Sequence, residues 1–373
     1  MKRYEAYDPI EYLNWQPDPE VMKSYSALAQ EAIDDLDDVT VPKLIDLYKH
    51  LLQTHLHDIT LKRWVKSGRI SKAWLGCGEE AVTVGNVAAL EKGDIIGPMI
   101  RNAGGCLIKG MPLEMALGYY LGVADTPSAG RDLHAGSLAY DVITPISHVA
   151  ALVPVCTGLS MANKYKGSDR VVLTWIGDGS TRCGEFHEGI NFAAVQHLPC
   201  IFVLQNNQIA LGTKYDDHYK VGLDTMAEAY GVIGVTADGN NVVDVYRATR
   251  KALHLCREGK GPVLMTVNTF RMGGHASHDE AEARQLFDDE IFSYWGKRDP
   301  IACYEEFLVN FSYGLTNAQK GQIGQFAKDN RKQLKIIENE VENNCQHAAD
   351  KALTNLENRI PQVSSVIDGV YAV

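Results

Sequence analysis

The sequence predicts an α/β chain in which a mostly parallel sheet is covered by helices on both faces and is followed by a helical C-terminal region. Three observations predict it. Continuous apolar runs at 171–176, 200–204 and 263–267 read as strands buried on both faces, the pattern of parallel sheets. Amphipathic stretches at about 185–197 and 242–257 alternate with those runs, as strand–helix–strand units require. A tight Gly177-Asp178-Gly179 turn joins the first run to the helix after it.

Taken in order, residues 1–39 are acidic, carry Pro9, Pro17 and Pro19 and end in D-D-L-D-D, the composition of a loosely held N-terminal arm. The α/β domain is expected over 40–300. It starts with a long packing helix at 41–65, with Pro42 in its first turn and Leu44, Leu47, Leu51, Leu52 and Leu56 at helical spacing. His50, His55 and His57 lie on that helix without metal-site spacing. A second helix over 79–90 has Ala81, Gly85, Ala88 and Ala89 for close packing, and a strand is expected at 95–100. Residues 123–148 are a long loop rich in Gly, Ser, Ala and Pro, functional or mobile by its length. A small-residue helix from 154 to 164 feeds the central strand; later come a short helix at 225–230 and a strand at 232–235. From Pro300 the chain turns charged and helical, so 301–373 is read as a solvent-facing helical appendage with an apolar end at 363–373. No internal repeat is present.

A chain of 373 residues, 45% hydrophobic, can bury a sizeable core. The formal net charge of −11 and a pI near 5.6 exclude a nucleic-acid partner as the leading expectation. No apolar run has membrane-spanning length and the amino terminus lacks a hydrophobic signal core. The expectation is a cytoplasmic protein, or one of the mitochondrial matrix if the source is eukaryotic. The 8 cysteines are scattered without a C-x-x-C pair and read as buried free thiols.

The chemistry concentrates at the sheet's carboxyl edge. Asp178 ends one strand and Asn207 the next, and a right-handed crossover lays those strands side by side, about 4.8 Å apart. One carboxylate, one amide oxygen and a nearby main-chain carbonyl make an all-oxygen half-shell suited to Mg²⁺ or Ca²⁺, with positions left for phosphate oxygens and water. Gly177 and Gly179 let a diphosphate approach the backbone, and the following helix offers it N–H groups. After the strand at 263–267, the loop Phe270–Asp279 places Arg271, His275 and His278 among glycines at the same edge. Read alone, Arg101 is a surface charge and His134 a solvated loop residue.

The G-D-G at 177–179 followed by N-N at 206–207 resembles the thiamine-diphosphate signature. The likeness extends through G-C-G-E-E-A-V-T-V-G at 76–85, I-R-N-A-G-G at 100–105, G-R-D-L-H at 130–134, P-x-x-x-G at 154–158 and F-R-M-G-G-H-A-S-H-D at 270–279. From about residue 68 to 300 the chain resembles alpha subunits of the decarboxylating component of 2-oxo acid dehydrogenase complexes, the branched-chain and pyruvate types being nearest. The resemblance implies the thiamine-diphosphate-binding fold and the cofactors thiamine diphosphate and Mg²⁺. It implies metal ligation by the side chains of Asp178 and Asn207 and the carbonyl of Ile209. It further implies cofactor contacts from Gly177, Gly179, Ser180, Arg101, Ser147, Val149, Arg271 and His275, with His275 also at the reacting centre. The implied assembly is a heterotetramer of two alpha and two beta subunits. The beta chain holds the aminopyrimidine, and the acyl group taken from a small 2-oxo acid passes to a lipoyl domain on an acyltransferase core.

Several residues depart from the family pattern. Gln205 stands where branched-chain relatives have an arginine on the diphosphate. Ile100 replaces a tyrosine, Leu152 a glutamine, Ile209 a tyrosine, and Ala276 a serine that is phosphorylated in mammalian relatives. Two rivals stay open: an acetoin-cleaving dehydrogenase alpha subunit, and a non-catalytic paralogue retained for binding or regulation. A nucleotide-binding enzyme is disfavoured, because neither G-x-G-x-x-G nor G-x-x-x-x-G-K-[ST] opens a helix.

Overall fold

The structure is a computed structural model that describes residues 16–25, 40–220, 222–310, 323–365 and 367–368. Its centre is a five-stranded parallel sheet: β1 (Ile95–Gly97), β2 (Val172–Gly177), β3 (Cys200–Asn206), β4 (Ile233–Asp238) and β5 (Val263–Asn268), in the order β1-β2-β3-β5-β4. Gly177 of β2 pairs with Gln205 of β3, and Asn206 of β3 with Asn268 of β5, so these three strands finish level with one another.

Alternate side chains of each strand enter two separate cores, which is why the strands read as continuous apolar runs. Leu173, Trp175, Ile201, Val203, Met265 and Val267 face one core, shared with helices α1 (Val41–Lys66) and α2 (Glu80–Ala89). Val172, Ile176, Phe202, Leu204 and Leu264 face the other, under the helices α3 (Leu152–Tyr165) and α4 (Gly184–Val195). Each such side chain, fully buried, stabilises the fold by about 1.5–3 kcal/mol.

Local chemistry sets the boundaries. Thr40 caps α1 through the Lys43 N–H, and Pro42 sits in the first turn, where no N–H is needed. The helix α4 stops where His197 takes a positive φ of 47°, ending it before the residue the sequence predicts. The small face of α2 has the expected use: a Cβ on Gly85 would lie 2.7 Å from Val245 Cβ in the helix α5 (Val242–Arg257).

Four further sequence expectations are corrected. The strand expected over 95–100 ends at Gly97, because Pro98 has no N–H to extend the ladder, and Arg101 lies in a 3₁₀ turn over Ile100–Asn102. The small-residue helix expected from 154 begins at Leu152. Most of the predicted N-terminal arm lies outside the described residues. Residues 19–25, however, are helical, with Val21 and Tyr25 buried and Tyr25 stacked on Phe307 at 5.1 Å. The C-terminal helix α6 (Ile323–Leu353) is not purely solvent-facing, since Leu334, Ile337, Val341, Cys345, Ala349 and Ala352 bury one face in the core shared with α1. Residues 366 and 369–373 of the apolar C-terminal end lie outside the described residues.

All eight cysteines are free, and all but Cys183 are buried. Among the described residues no helix is long and apolar enough to cross a membrane.

Candidate functional site

A cleft of about 480 Å³ opens where β2 and β3 end, within the size range of small-molecule sites. Its wall contains Arg101, Ser147, Val149, Gly177, Asp178, Gly179, Ser180, Asn207, Ile209 and His275, all but one of the site residues read from the sequence. Arg271, the remaining one, stands behind the wall, 2% exposed. The loop expected to be functional or mobile supplies His134, Ile146, Ser147 and His148 to the rim, with Val149 just beyond it. Val149 and Ile146 are exposed there, so the cleft is open on that side.

The Gly177-Asp178-Gly179 turn is shaped by steric need. A Cβ on Gly179 would meet Ala210 Cβ at 2.4 Å, so glycine lets the turn after β2 close against the segment after β3. That segment carries strain: Gln208 and Leu211 have φ of 69° and 56°, and Ala150 across the cleft has φ of 63°. Gln208 and Leu211 bracket Ile209–Ala210, which pairs antiparallel with Thr213–Lys214 in a two-stranded ribbon.

Asp178 is 2% and Asn207 3% exposed, side by side at the tips of adjacent strands. Asp178 Oδ2 has no hydrogen-bond partner, and burial raises the carboxyl pKa against the lowering effect of the Gly179 N–H and of His218. Asn207 donates through Nδ2 to Glu79 Oε1 at 2.8 Å, which leaves its Oδ1 to accept only a long bond from the Ile209 N–H at 3.4 Å. The amide oxygen is thereby fixed on the side of Ile209.

The positive charges are under-partnered as well. Arg101 Nη1 donates to the His275 carbonyl at 2.8 Å, while its Nε has no hydrogen-bond partner and lies 3.7 Å from Glu79 Oε2. Arg271 donates to the carbonyls of Leu211 and Gly273, its Nη1 is unpartnered, and burial with the neighbouring Arg101 pushes its pKa down to about 10. Burial, Arg101 and Arg271 push His275 down to about 4, so its imidazole is neutral at pH 7, with Nδ1 unpartnered. Two guanidinium groups and a neutral imidazole beside one carboxylate cradle fit a cation bound together with a phosphate-bearing anion.

Glu79, which sequence reasoning passed over as part of a helix-packing motif, is the hub of the site. It is 1% exposed and its Oε1 accepts from both Gln205 Nε2, at 2.5 Å, and Asn207 Nδ2. Gln205 in turn accepts from Asn102 Nδ2 at 3.0 Å, and Asn102 also donates to Thr83. Gln205 is therefore absent from the cleft wall and engaged with buried partners. The signal for Glu79 was its charge: with Glu80 it is one of two adjacent acids opening a helix rich in alanine and valine. His218 was also missed, because it lies in a single polar helical turn, Tyr215–His218, too short to show periodicity.

Ile100 and Leu152, two departures from the family pattern, line the cleft, whereas Ala276 is buried. Ser277 beside it exchanges two hydrogen bonds with Ala73, through its own N–H and through Oγ. His278 is exposed and absent from the cleft wall. Elsewhere, the metal-capable atoms of His55, Cys77 and Glu80 lie within 4.8 Å of one another. His55 and Glu80 satisfy each other at 2.6 Å, and burial raises the Cys77 thiol, which opposes the thiolate a metal needs.

Comparison with known proteins identifies relatives of the chain. Residues 48–360 match the family model described as "Dehydrogenase E1 component". The chain is 30% identical over 286 residues to the 2-oxoisovalerate dehydrogenase subunit alpha of Mus musculus, a mitochondrial protein, covering 75% of this chain and 64% of that one. It is 31% identical to the 2-oxoisovalerate dehydrogenase subunit alpha of Bacillus subtilis, over 72% of this chain and 83% of the relative. It is also 31% identical to the pyruvate dehydrogenase E1 component subunit alpha of Staphylococcus aureus, over 77% and 75% respectively. The match spans just under two thirds of the mammalian relatives and more of the bacterial ones. The parallel sheet, the cleft at its carboxyl edge and these likenesses converge: the chain belongs to the dehydrogenase E1 component family.

Proposed function

We propose that this chain is the alpha subunit of a 2-oxo acid dehydrogenase, binding thiamine diphosphate through Mg²⁺ and acting with a beta subunit in a two-alpha, two-beta assembly. The observation that carries it is the set of unpartnered polar groups around one cleft: Asp178 Oδ2, Arg101 Nε and His275 Nδ1, with Arg271 Nη1 behind its wall. A chain that buries so many unsatisfied groups in one place has them for a ligand of matching charge.

In this reading Asp178, Asn207 Oδ1 and the Ile209 carbonyl hold the cation. The Gly179 and Ser180 N–H groups and Arg101 bind the diphosphate, Arg271 supplies field from behind, and Gly177, Ser147 and Val149 shape the wall. His275, neutral, holds or accepts a proton near the reacting centre. Thiamine diphosphate supplies the nucleophilic carbon and the electron sink for decarboxylation. The open side of the cleft, at Ile146 and Val149, is where a beta subunit would complete the site and exclude water. The acyl group would then go to a lipoyl domain.

Co-expression with a beta-type chain should give 2-oxo acid-dependent dye reduction that Asp178→Asn abolishes. Full activity from the alpha chain alone would overturn the partner requirement. Calorimetry with thiamine diphosphate and Mg²⁺ in the presence of the beta chain should give saturable heat. None would favour a non-catalytic paralogue.

A further inference from the structure

The segment after Asn207 returns to Asp178 and brings a histidine with it. Tyr215 donates its N–H to the Gln208 carbonyl at 3.0 Å, and its ring stacks on Tyr219 at 5.0 Å. From the other side, Arg182 in the turn after Asp178 lies over the Tyr219 ring, 3.8 Å from its centroid, and donates to the His218 carbonyl. Thr181 meets the Tyr219 hydroxyl. His218 is thus fixed by the same two segments that present Asp178 and Asn207.

Its side chain is 14% exposed, and Nε2 lies 3.6 Å from Asp178 Oδ2. Neither ring nitrogen of His218 has a hydrogen-bond partner, and neither has Asp178 Oδ2. The separation exceeds the range of a good N–H···O bond, about 2.7–3.2 Å. It matches two donors of one ion: metal–nitrogen and metal–oxygen bonds of about 2.0–2.2 Å put neighbouring ligands roughly 3.0–3.6 Å apart. A nitrogen and a carboxylate oxygen, both lacking hydrogen-bond partners, thus stand within one ion's reach of each other.

We propose that His218 is a ligand of the cation of the proposed function through Nε2, in a position otherwise left to water. The inference rests on the proposed cation site at Asp178 and Asn207. A mixed nitrogen and oxygen donor set shifts preference away from Mg²⁺, which favours oxygen, towards Mn²⁺ and other first-row divalent ions that accept imidazole. The chain would then differ in metal choice from an all-oxygen site.

The test uses the full chain with inorganic diphosphate and Mn²⁺. Electron spin echo envelope modulation should show directly bound ¹⁴N that becomes ¹⁵N on histidine labelling and disappears in His218→Gln. The ratio of Mn²⁺ to Mg²⁺ affinity should fall about tenfold in the variant, the scale on which metal-site partners act. His218→Asn, smaller and equally polar, provides the same reading if the glutamine variant unfolds. Mn²⁺ binding that Asp178→Asn abolishes, without histidine nitrogen modulation, would overturn the His218 inference and leave the cation site standing. Absent Mn²⁺ binding, or binding indifferent to Asp178→Asn, would overturn both.

Discussion

Replacing Glu79 by alanine removes one acceptor from two buried donors at once. Gln205 Nε2 and Asn207 Nδ2 both point at Glu79 Oε1, and both side chains are at most 3% exposed, so water does not replace the lost oxygen readily. An orphaned buried donor costs about 1–3 kcal/mol, which gives roughly 2–6 kcal/mol for the pair. Against this stands relief for the carboxylate itself, whose Oε2 has no hydrogen-bond partner. The expected net loss of stability is about 3 kcal/mol for Glu79→Ala and about 1 kcal/mol for Glu79→Gln, which keeps an acceptor oxygen. The alanine variant also frees the Asn207 amide to turn its nitrogen towards the cation, so divalent-ion affinity should fall at least about tenfold. Urea denaturation at matched slope, with Mn²⁺ titration on the same samples, measures both. A Glu79→Ala midpoint equivalent to less than about 0.5 kcal/mol from the parent would refute this account of the network.

Further perturbations separate the remaining contributions. Gly179→Ala places a Cβ 2.4 Å from Ala210 Cβ and should cost about 1–3 kcal/mol, with thiamine diphosphate binding lost in calorimetry; unchanged binding would mean the turn can yield. Because burial and the two arginines hold His275 at about 4 while the unfolded chain titrates near 6.5, the unfolded state binds more protons between those values. Stability of the ligand-free chain should therefore fall as pH drops from about 6.5 to 4, and His275→Gln should flatten that slope in denaturation curves. Inorganic diphosphate should raise the melting temperature by neutralising Arg101 and Arg271, and Arg101→Met should remove most of the gain. A diphosphate shift that persists in that variant would place the anion elsewhere.

The architecture was legible because its signals are periodic or stereochemical. Continuous apolar strands such as 200–204 and an amphipathic helix such as 242–257 encode which faces are covered, and both formed as read. Asp178 and Asn207 were legible because parallel pairing of consecutive strands dictates that their tips meet. What escaped depends on three-dimensional partners. Glu79 and Gln205 are far apart in sequence and acquire meaning only through a shared hydrogen bond. His218 lies in a segment whose course is set by a stacked arginine and two tyrosines, interactions without periodicity. The strand before Arg101 was drawn too long because a single proline overrode an apolar run. The buried face of α6 was obscured by the many charges on its opposite side.

Gln208, Leu211 and Ala150 keep a backbone shape that glycine would adopt at no steric cost. Each is thus a reserve that an engineer seeking a hardier chain could release, and glycine or asparagine at any of them should relieve about 1 kcal/mol. At Gln208 and Leu211 the same substitution would loosen the stretch that carries Ile209, exchanging rigidity in the cleft wall for thermal tolerance.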